Sequence, residues 1–165
     1  MMTIRKSLIA CIAIAAPALL CATGVAQAKG EVFKSRCINS GNNATDNIGD
    51  RPDHKISVGN VVCTVSGGVM EGGIMTAETI YEWDGPKATL LSGGGVLRKN
   101  GMVVVYKHTE GLTQRITEGK TTSYAATGKG IVSFASGAAA SLSGQTYTFV
   151  IVMENGRPVF EVTMD

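Results

Sequence analysis

The stretch KATLLSGGGVLRKNGMVVVYKHTE, residues 87–110, contains the pattern that decides the fold. Two runs, 87–99 and 102–110, carry apolar and β-branched residues and are separated by Asn100-Gly101. Asn-Gly is a favoured pair for a two-residue hairpin, because both central positions of a type I′ turn need positive φ. The stretch therefore predicts two antiparallel strands joined by a tight turn.

The same pattern continues along most of the chain. Asn155-Gly156 is a second hairpin pair, and Asp84-Gly85-Pro86 interrupts another two runs. The stretch with the best potential to form a helix, SGAAASLSG at 136–144, is short and bracketed by glycines. About eight or nine short strands at close spacing predict a single-domain, all-β antiparallel barrel of about eight strands, with a β-sandwich as the alternative. The further strands are expected within 31–37, 55–65, 73–83, 113–126, 130–137, 144–154 and 157–164.

A family resemblance supports the barrel. The stretch YAATGKGIVSFASG, residues 124–137, has Thr127-Gly128-Lys129 followed by Gly137. It resembles the T-G-K…G turn pattern of the allene oxide cyclase and dirigent type of β-barrel, although Gly130 stands where an aromatic residue is common. The resemblance extends over about the last half of the mature chain. It implies an eight-stranded, calycin- or dirigent-like barrel with a central apolar cavity, and it transfers no catalytic residue.

The first 28 residues have the composition of an export leader. Arg5 and Lys6 precede an apolar run at 8–20, and Ala26-Gln27-Ala28 forms an A-x-A cleavage motif. We expect cleavage after Ala28, with bacterial export to the periplasm or the medium, which leaves 29–165 as the barrel domain. No later run is long and apolar enough to predict a membrane-spanning helix.

The charge balance of the chain limits the classes of molecule that it is expected to bind. The chain has 15 basic and 13 acidic residues, and the leader contains two of the basic ones. A neutral mature domain has no basic footprint for nucleic acid or for an anionic membrane surface. The expected partners are therefore a small hydrophobic ligand or an envelope protein.

Two cysteines remain after the leader is removed. Exported small domains form disulfides in an oxidising compartment, so Cys37 and Cys63 are expected to pair. The bond would close a polar loop at 38–54. This loop contains oxygen-bearing side chains around His54, but it lacks the one-three-five spacing and the distal glutamate of a calcium loop. No metal and no cofactor are therefore predicted; the polar residues concerned are Asp46, Asn47, Asp50 and Asp53.

A second motif, EGKTTS at 118–123, contains the Gly-Lys-Thr of a phosphate-binding loop. Such a loop needs its first glycine five positions before Gly119, where this chain has Gln114. The flanking residues alternate and are rich in threonine. The sequence therefore favours a turn at Gly119-Lys120 over a nucleotide site.

The strand at 102–110 contains the candidate catalytic residues. Strict alternation puts Tyr106, His108 and Glu110 on one face, together with Met102 and Val104. A carboxylate and an imidazole on one face are suited to general acid–base work. The favoured interpretation is simpler: the strand runs from the core out to solvent, with His108 and Glu110 at its wet end.

The strand at 73–83 divides in the same way. Glu78 and Glu82 share one face, which is expected to be solvated, and this places Tyr81 and Trp83 inside. Inward residues of a small barrel either fill the core or line a ligand cavity, and both readings remain open. The candidate ligand-binding residues are Tyr81, Trp83, Met102, Val104, Tyr106, Tyr147 and Phe149.

Three functions remain after these exclusions. The first is an exported barrel that binds a small apolar or amphipathic ligand. The alternative is a protein-interaction module, an inhibitor or an envelope assembly factor, that acts through the 38–54 loop. The third, a cyclase or isomerase, rests on fold analogy alone.

Overall fold

A computed structural model describes residue 30, residues 32–41 and residues 43–165. The predicted leader and its cleavage site lie outside the described residues. The described chain contains nine β-strands and one short 3₁₀ helix. The strands are β1 Val32–Asn39, β2 Ala44–Asn47, β3 His54–Ser66, β4 Ile74–Asp84, β5 Lys87–Lys99, β6 Met102–Glu118, β7 Thr121–Ala135, β8 Thr146–Glu154 and β9 Arg157–Met164.

The strands form one antiparallel sheet that closes on itself. Neighbouring strands follow the order β1-β9-β8-β7-β6-β5-β4-β3, and β1 also pairs with β3. The closing register aligns Lys34 with Ser66 and Asn39 with Val61. This is the predicted eight-stranded barrel and not the sandwich. The ninth strand, β2, pairs only with the first part of β3. Its register aligns Asn47 with Lys55 and Ala44 with Val58.

The predicted turns are present, with one difference in type. Asn155 and Gly156 have φ values of 53° and 74°, as a type I′ turn requires. Gly119-Lys120 joins β6 to β7 as a two-residue turn, as expected from the sequence. At Asn100-Gly101 the turn forms but only the glycine has positive φ, at 71°, so the predicted type I′ geometry is absent there.

One end of the barrel is packed shut. The loop between β3 and β4 inserts Met70, which is fully buried. The 3₁₀ helix Gly137–Leu142 contributes Ala139 and Leu142 to the same core cluster. The opposite end is formed by the turns at 85–86, 119–120 and 155–156, and among the described residues none plugs it in this way.

In the described part of the chain, no helix has the length and apolar character that a bilayer crossing requires.

Large aromatic rings in the core lie against glycines on neighbouring strands. Gly130 of β7 is in register with Tyr147 of β8, and Gly128 is in register with Phe149. A Cβ built on Gly130 would lie 2.2 Å from the Tyr147 ring, and one on Gly128 would lie 2.5 Å from the Phe149 ring. The glycines therefore provide the space that the rings occupy, an arrangement known to fix strand register in barrels. Gly95 has the same relation to Tyr106.

Replacing Gly130 with alanine tests this packing. We expect Gly130→Ala to lower the free energy of unfolding by about 3 kcal/mol, the upper range for overpacking a core. The added methyl would meet both the Tyr147 ring and the Lys107 carbonyl oxygen, at 2.2 and 2.6 Å. The matched control is Gly59→Ala, where the nearest atom is the Thr79 side-chain oxygen at 3.2 Å. Urea unfolding measures both variants, and equal losses would show that ring-on-glycine contact is unimportant.

Candidate functional site

The open end of the barrel contains a cavity of about 340 Å³, here called the mouth cavity. Its volume lies at the small end of the range for small-molecule sites, about 300 to 1,000 Å³. Residues of β3, β4, β6, β7, β8 and β9 form most of its wall, and Ala44 and Thr45 of β2 complete it. Ile151 and Phe160 give it an apolar floor. These features meet the general description of a ligand pocket: concave, mainly apolar and lined by a few polar groups.

Trp83 is the largest side chain of the mouth wall. The indole is 7% exposed, and its Nε1 donates a hydrogen bond to the Ser57 hydroxyl at 2.8 Å. Tyr124 meets it edge to face, with ring centroids 5.7 Å apart. The Tyr124 side chain is 40% exposed and so forms the rim. The indole is therefore held by a hydrogen bond and a ring contact while it still borders the cavity.

Arg115 supplies positive charge to the same wall. Its guanidinium carbon lies 5.3 Å from the centroid of the Trp83 ring, within cation–π range. The Nε atom is buried without a hydrogen-bond partner. Within residues 30–165 as described, no carboxylate lies within 4.0 Å of this guanidinium. Lys55 is the second cation of the lining, and its Nζ is 3.4 Å from Asp53.

Two hydroxyl groups lie deeper in the mouth cavity. Burial raises the pKa of Tyr81, and the neighbouring Thr113 hydroxyl lowers it by a smaller amount. Thr113 is 8% exposed, and its Oγ1 has no partner at hydrogen-bonding geometry. The two hydroxyl groups therefore add a polar patch to the wall of the mouth cavity.

A second, much smaller cavity lies further inside the barrel, next to the packed end. It has a volume of about 50 Å³, and Tyr106, His108 and Tyr147 are among its lining residues. Phe160 borders both cavities and separates them. A volume of this size holds a few water molecules at most and is far below that of a substrate site.

His108 lies in the centre of this aromatic core. The ring is 5% exposed, its Nδ1 lies 3.0 Å from the Tyr147 hydroxyl, and its Nε2 has no partner. Burial lowers the pKa of His108 to about 4, so the imidazole is neutral at pH 7. Burial also raises the pKa values of Tyr106 and Tyr147. The interpretation that His108 lies at the wet end of its strand is therefore wrong.

Glu110 does not lie on the same face of β6 as His108, so the prediction that the two residues share a face is wrong. The β6–β7 register shifts between His108 and Glu110, which marks a β-bulge. The extra residue turns Glu110 to the outer surface, where its carboxylate lies 2.9 Å from Lys129 Nζ. Glu110 is therefore not available to orient the imidazole, and a catalytic role for His108 stays a prediction.

The two cysteines form the predicted disulfide. Cys37 and Cys63 lie directly opposite each other on β1 and β3, and each is 1% exposed. The bond thus joins the two strands that close the barrel. The 38–54 segment is less open than predicted, because β2 pairs with β3 within it.

His54 fastens the end of that segment to the outer face of β4. Its Nδ1 bonds to Asp50, and its Nε2 lies 2.7 Å from Glu82. The hydrogen bonds to Asp50 and Glu82 raise the pKa of His54, and its bond to Asp50 lowers the pKa of that carboxyl. In the described part of the chain, no group of three or more His, Cys, Asp and Glu side chains is arranged to hold a metal ion.

The predicted ligand-binding residues divide among three places. Tyr81 and Trp83 line the mouth cavity, as their predicted inward orientation requires. Val104, Tyr106 and Tyr147 line the small inner cavity. Phe149 and Met102 pack in the core and line neither space. The sequence reasoning missed Arg115, Tyr124 and Lys55.

Comparisons of the chain with protein-family models, with curated proteins and with solved structures give no match.

Proposed function

We propose that this chain is an exported β-barrel that binds a small amphipathic molecule in its mouth cavity. The observation that carries the proposal is the difference between the two ends of the barrel. Met70 and the 3₁₀ helix fill one end, whereas the other keeps about 340 Å³ beside Trp83. Maintaining such a space costs packing energy, which a bound molecule can recover.

Export is part of the proposal. A buried disulfide at the barrel seam is consistent with an oxidising compartment. Together with the leader-like first 28 residues, it supports secretion to the periplasm or the medium after cleavage near Ala28. We favour ligand binding over action through the 38–54 segment, because β2 and His54 fasten that segment to the barrel.

Trp83 is the single tryptophan of the chain and therefore reports directly on the mouth cavity. We expect its fluorescence to change saturably when decanol or decanoate is added, because an alkyl chain in the cavity displaces water from the indole. Fluorescence titration of the mature protein, confirmed by calorimetry, measures this. A response that stays linear up to the solubility limit of both probes would contradict the proposed function.

A cavity-filling variant locates the binding. Thr79→Phe places a ring into the mouth cavity from β4, and we expect it to weaken decanol binding about tenfold or more. The matched control is Thr64→Phe on β3, whose side chain is exposed on the outer surface. Equal weakening by both substitutions would place the probe elsewhere.

A further inference from the structure

We infer that the molecule bound in the mouth cavity is a small amphipathic carboxylate, with its anionic group at Arg115. This inference rests on the proposed function and adds the charge class of the ligand. Arg115 keeps a permanent positive charge, and it is half-buried in the cavity wall. Withdrawing a cation from water favours pairing it with an anion, but the described chain brings no carboxylate within 4.0 Å of Arg115.

The charges of the mouth have one sign. Lys55 and Arg115 are its two ionised lining residues, and no aspartate or glutamate is among the described residues that line it. Asp53 lies 3.4 Å from Lys55 and offsets its charge, so Arg115 is the less compensated cation. The cavity wall has a lower dielectric than water, which strengthens the attraction of this guanidinium for an anion.

The position of the Arg115 charge relative to the apolar floor defines the shape of the ligand. The Arg115 guanidinium lies over one face of Trp83, while Ile151 and Phe160 form the apolar floor. A molecule that satisfies both has an apolar body on the floor and one acidic group at its end. The terminal nitrogens of Arg115 make no hydrogen bond to the described side chains, and they are donors available to carboxylate oxygens.

Matched acid and amide probes test this without any substitution. We expect 3-phenylpropionate to bind about tenfold more tightly than 3-phenylpropionamide, the lower range for a hydrogen-bonded charge. Trp83 fluorescence and calorimetry give both affinities, at low salt and at 0.5 M NaCl. The preference is expected to shrink in high salt because the mouth is open to solvent.

Two variants assign the preference to Arg115. Arg115→Gln should reduce the acid-to-amide ratio to about one. Lys55→Gln is the control, and because Lys55 is already paired with Asp53 it should keep most of the ratio. Circular dichroism checks that both variants fold.

The outcomes separate this inference from the proposed function. Failure of every probe to bind, charged or neutral, overturns the proposed function. Binding of acid and amide with equal affinity by the unsubstituted protein overturns the charge class alone. Loss of the preference in Lys55→Gln but not in Arg115→Gln overturns the assignment to Arg115.

Discussion

Reducing the Cys37–Cys63 bond should lower the free energy of unfolding by about 3 to 4 kcal/mol, the value that chain entropy gives for a loop of this length. The two residues are 26 positions apart, and both lie at the seam where β1 meets β3. Without the bond, the unfolded chain gains freedom that the folded barrel cannot use. Urea unfolding of oxidised and reduced protein measures the difference.

A double alanine variant separates the effect of the cross-link from the effect of side-chain packing. Reduced protein keeps both buried sulfur atoms, so its loss of stability reports the broken cross-link without the deletion of side-chain atoms. The Cys37→Ala/Cys63→Ala variant removes the sulfur atoms as well, and its loss should be larger by the packing of two side chains that are each 1% exposed. Dithiothreitol should not change the variant. A loss below about 1 kcal/mol on reduction would show that strand pairing alone holds the seam.

Strands and turns follow from the sequence because each is encoded locally, whereas the disulfide follows from the number of cysteines. Asn155-Gly156 allows a turn that few other pairs adopt, and this fixes the β8–β9 hairpin. Cys37 and Cys63 are the two cysteines outside the predicted leader, so the prediction leaves one possible partner for each. Alternation along β4 placed Trp83 and Tyr81 inside without any knowledge of neighbouring strands.

Bulges explain why the site was only partly predicted. Strict alternation from Met102 places Leu112 inside the barrel and Arg115 outside. The bulge after His108 adds one residue, so Leu112 is 65% exposed and Arg115 points into the mouth cavity. A bulge depends on the partner strand as well as its own sequence, and so it is poorly visible in one segment. Gly111, directly after the shift, is the one local indication.

The alternation of inward and outward residues also does not predict where a cavity lies. The pattern identifies inward residues. Whether their side chains meet across the barrel depends on the sizes of the side chains that all strands place at the same height. Glycines at 95, 128 and 130 let the rings of Tyr106, Phe149 and Tyr147 fill the interior next to the packed end. The described residues of the mouth give no comparable filling, and its wall has more polar side chains, among them Lys55, Thr79 and Arg115.

Lowering the pH from 7 to 4 should cost the barrel about 3 kcal/mol of stability through His108 alone. The unfolded chain binds a proton at this residue near pH 6.5, whereas burial lowers the folded pKa to about 4. Between these values the unfolded state holds more protons, so stability falls as the pH falls, by about 1.4 kcal/mol per unit. The effect is absent above about pH 7.

His108→Gln isolates this contribution, because the substituted residue does not titrate. Urea unfolding between pH 7 and 4 should give a steeper loss for the unsubstituted protein by about 2 to 3 kcal/mol. His54 does not interfere, because its folded pKa is raised above 6.5 and its unfolded pKa is about 6.5, so both states hold the proton over most of this window. Its own stabilisation is lost only as the pH rises through the folded pKa. Since the chain has two histidines, ¹H NMR resolves them directly, with one expected to titrate near 4 and the other above 6.5. Parallel stability curves for the two proteins, or a single titration near 6.5 for His108, would mean that water reaches the ring in the folded barrel.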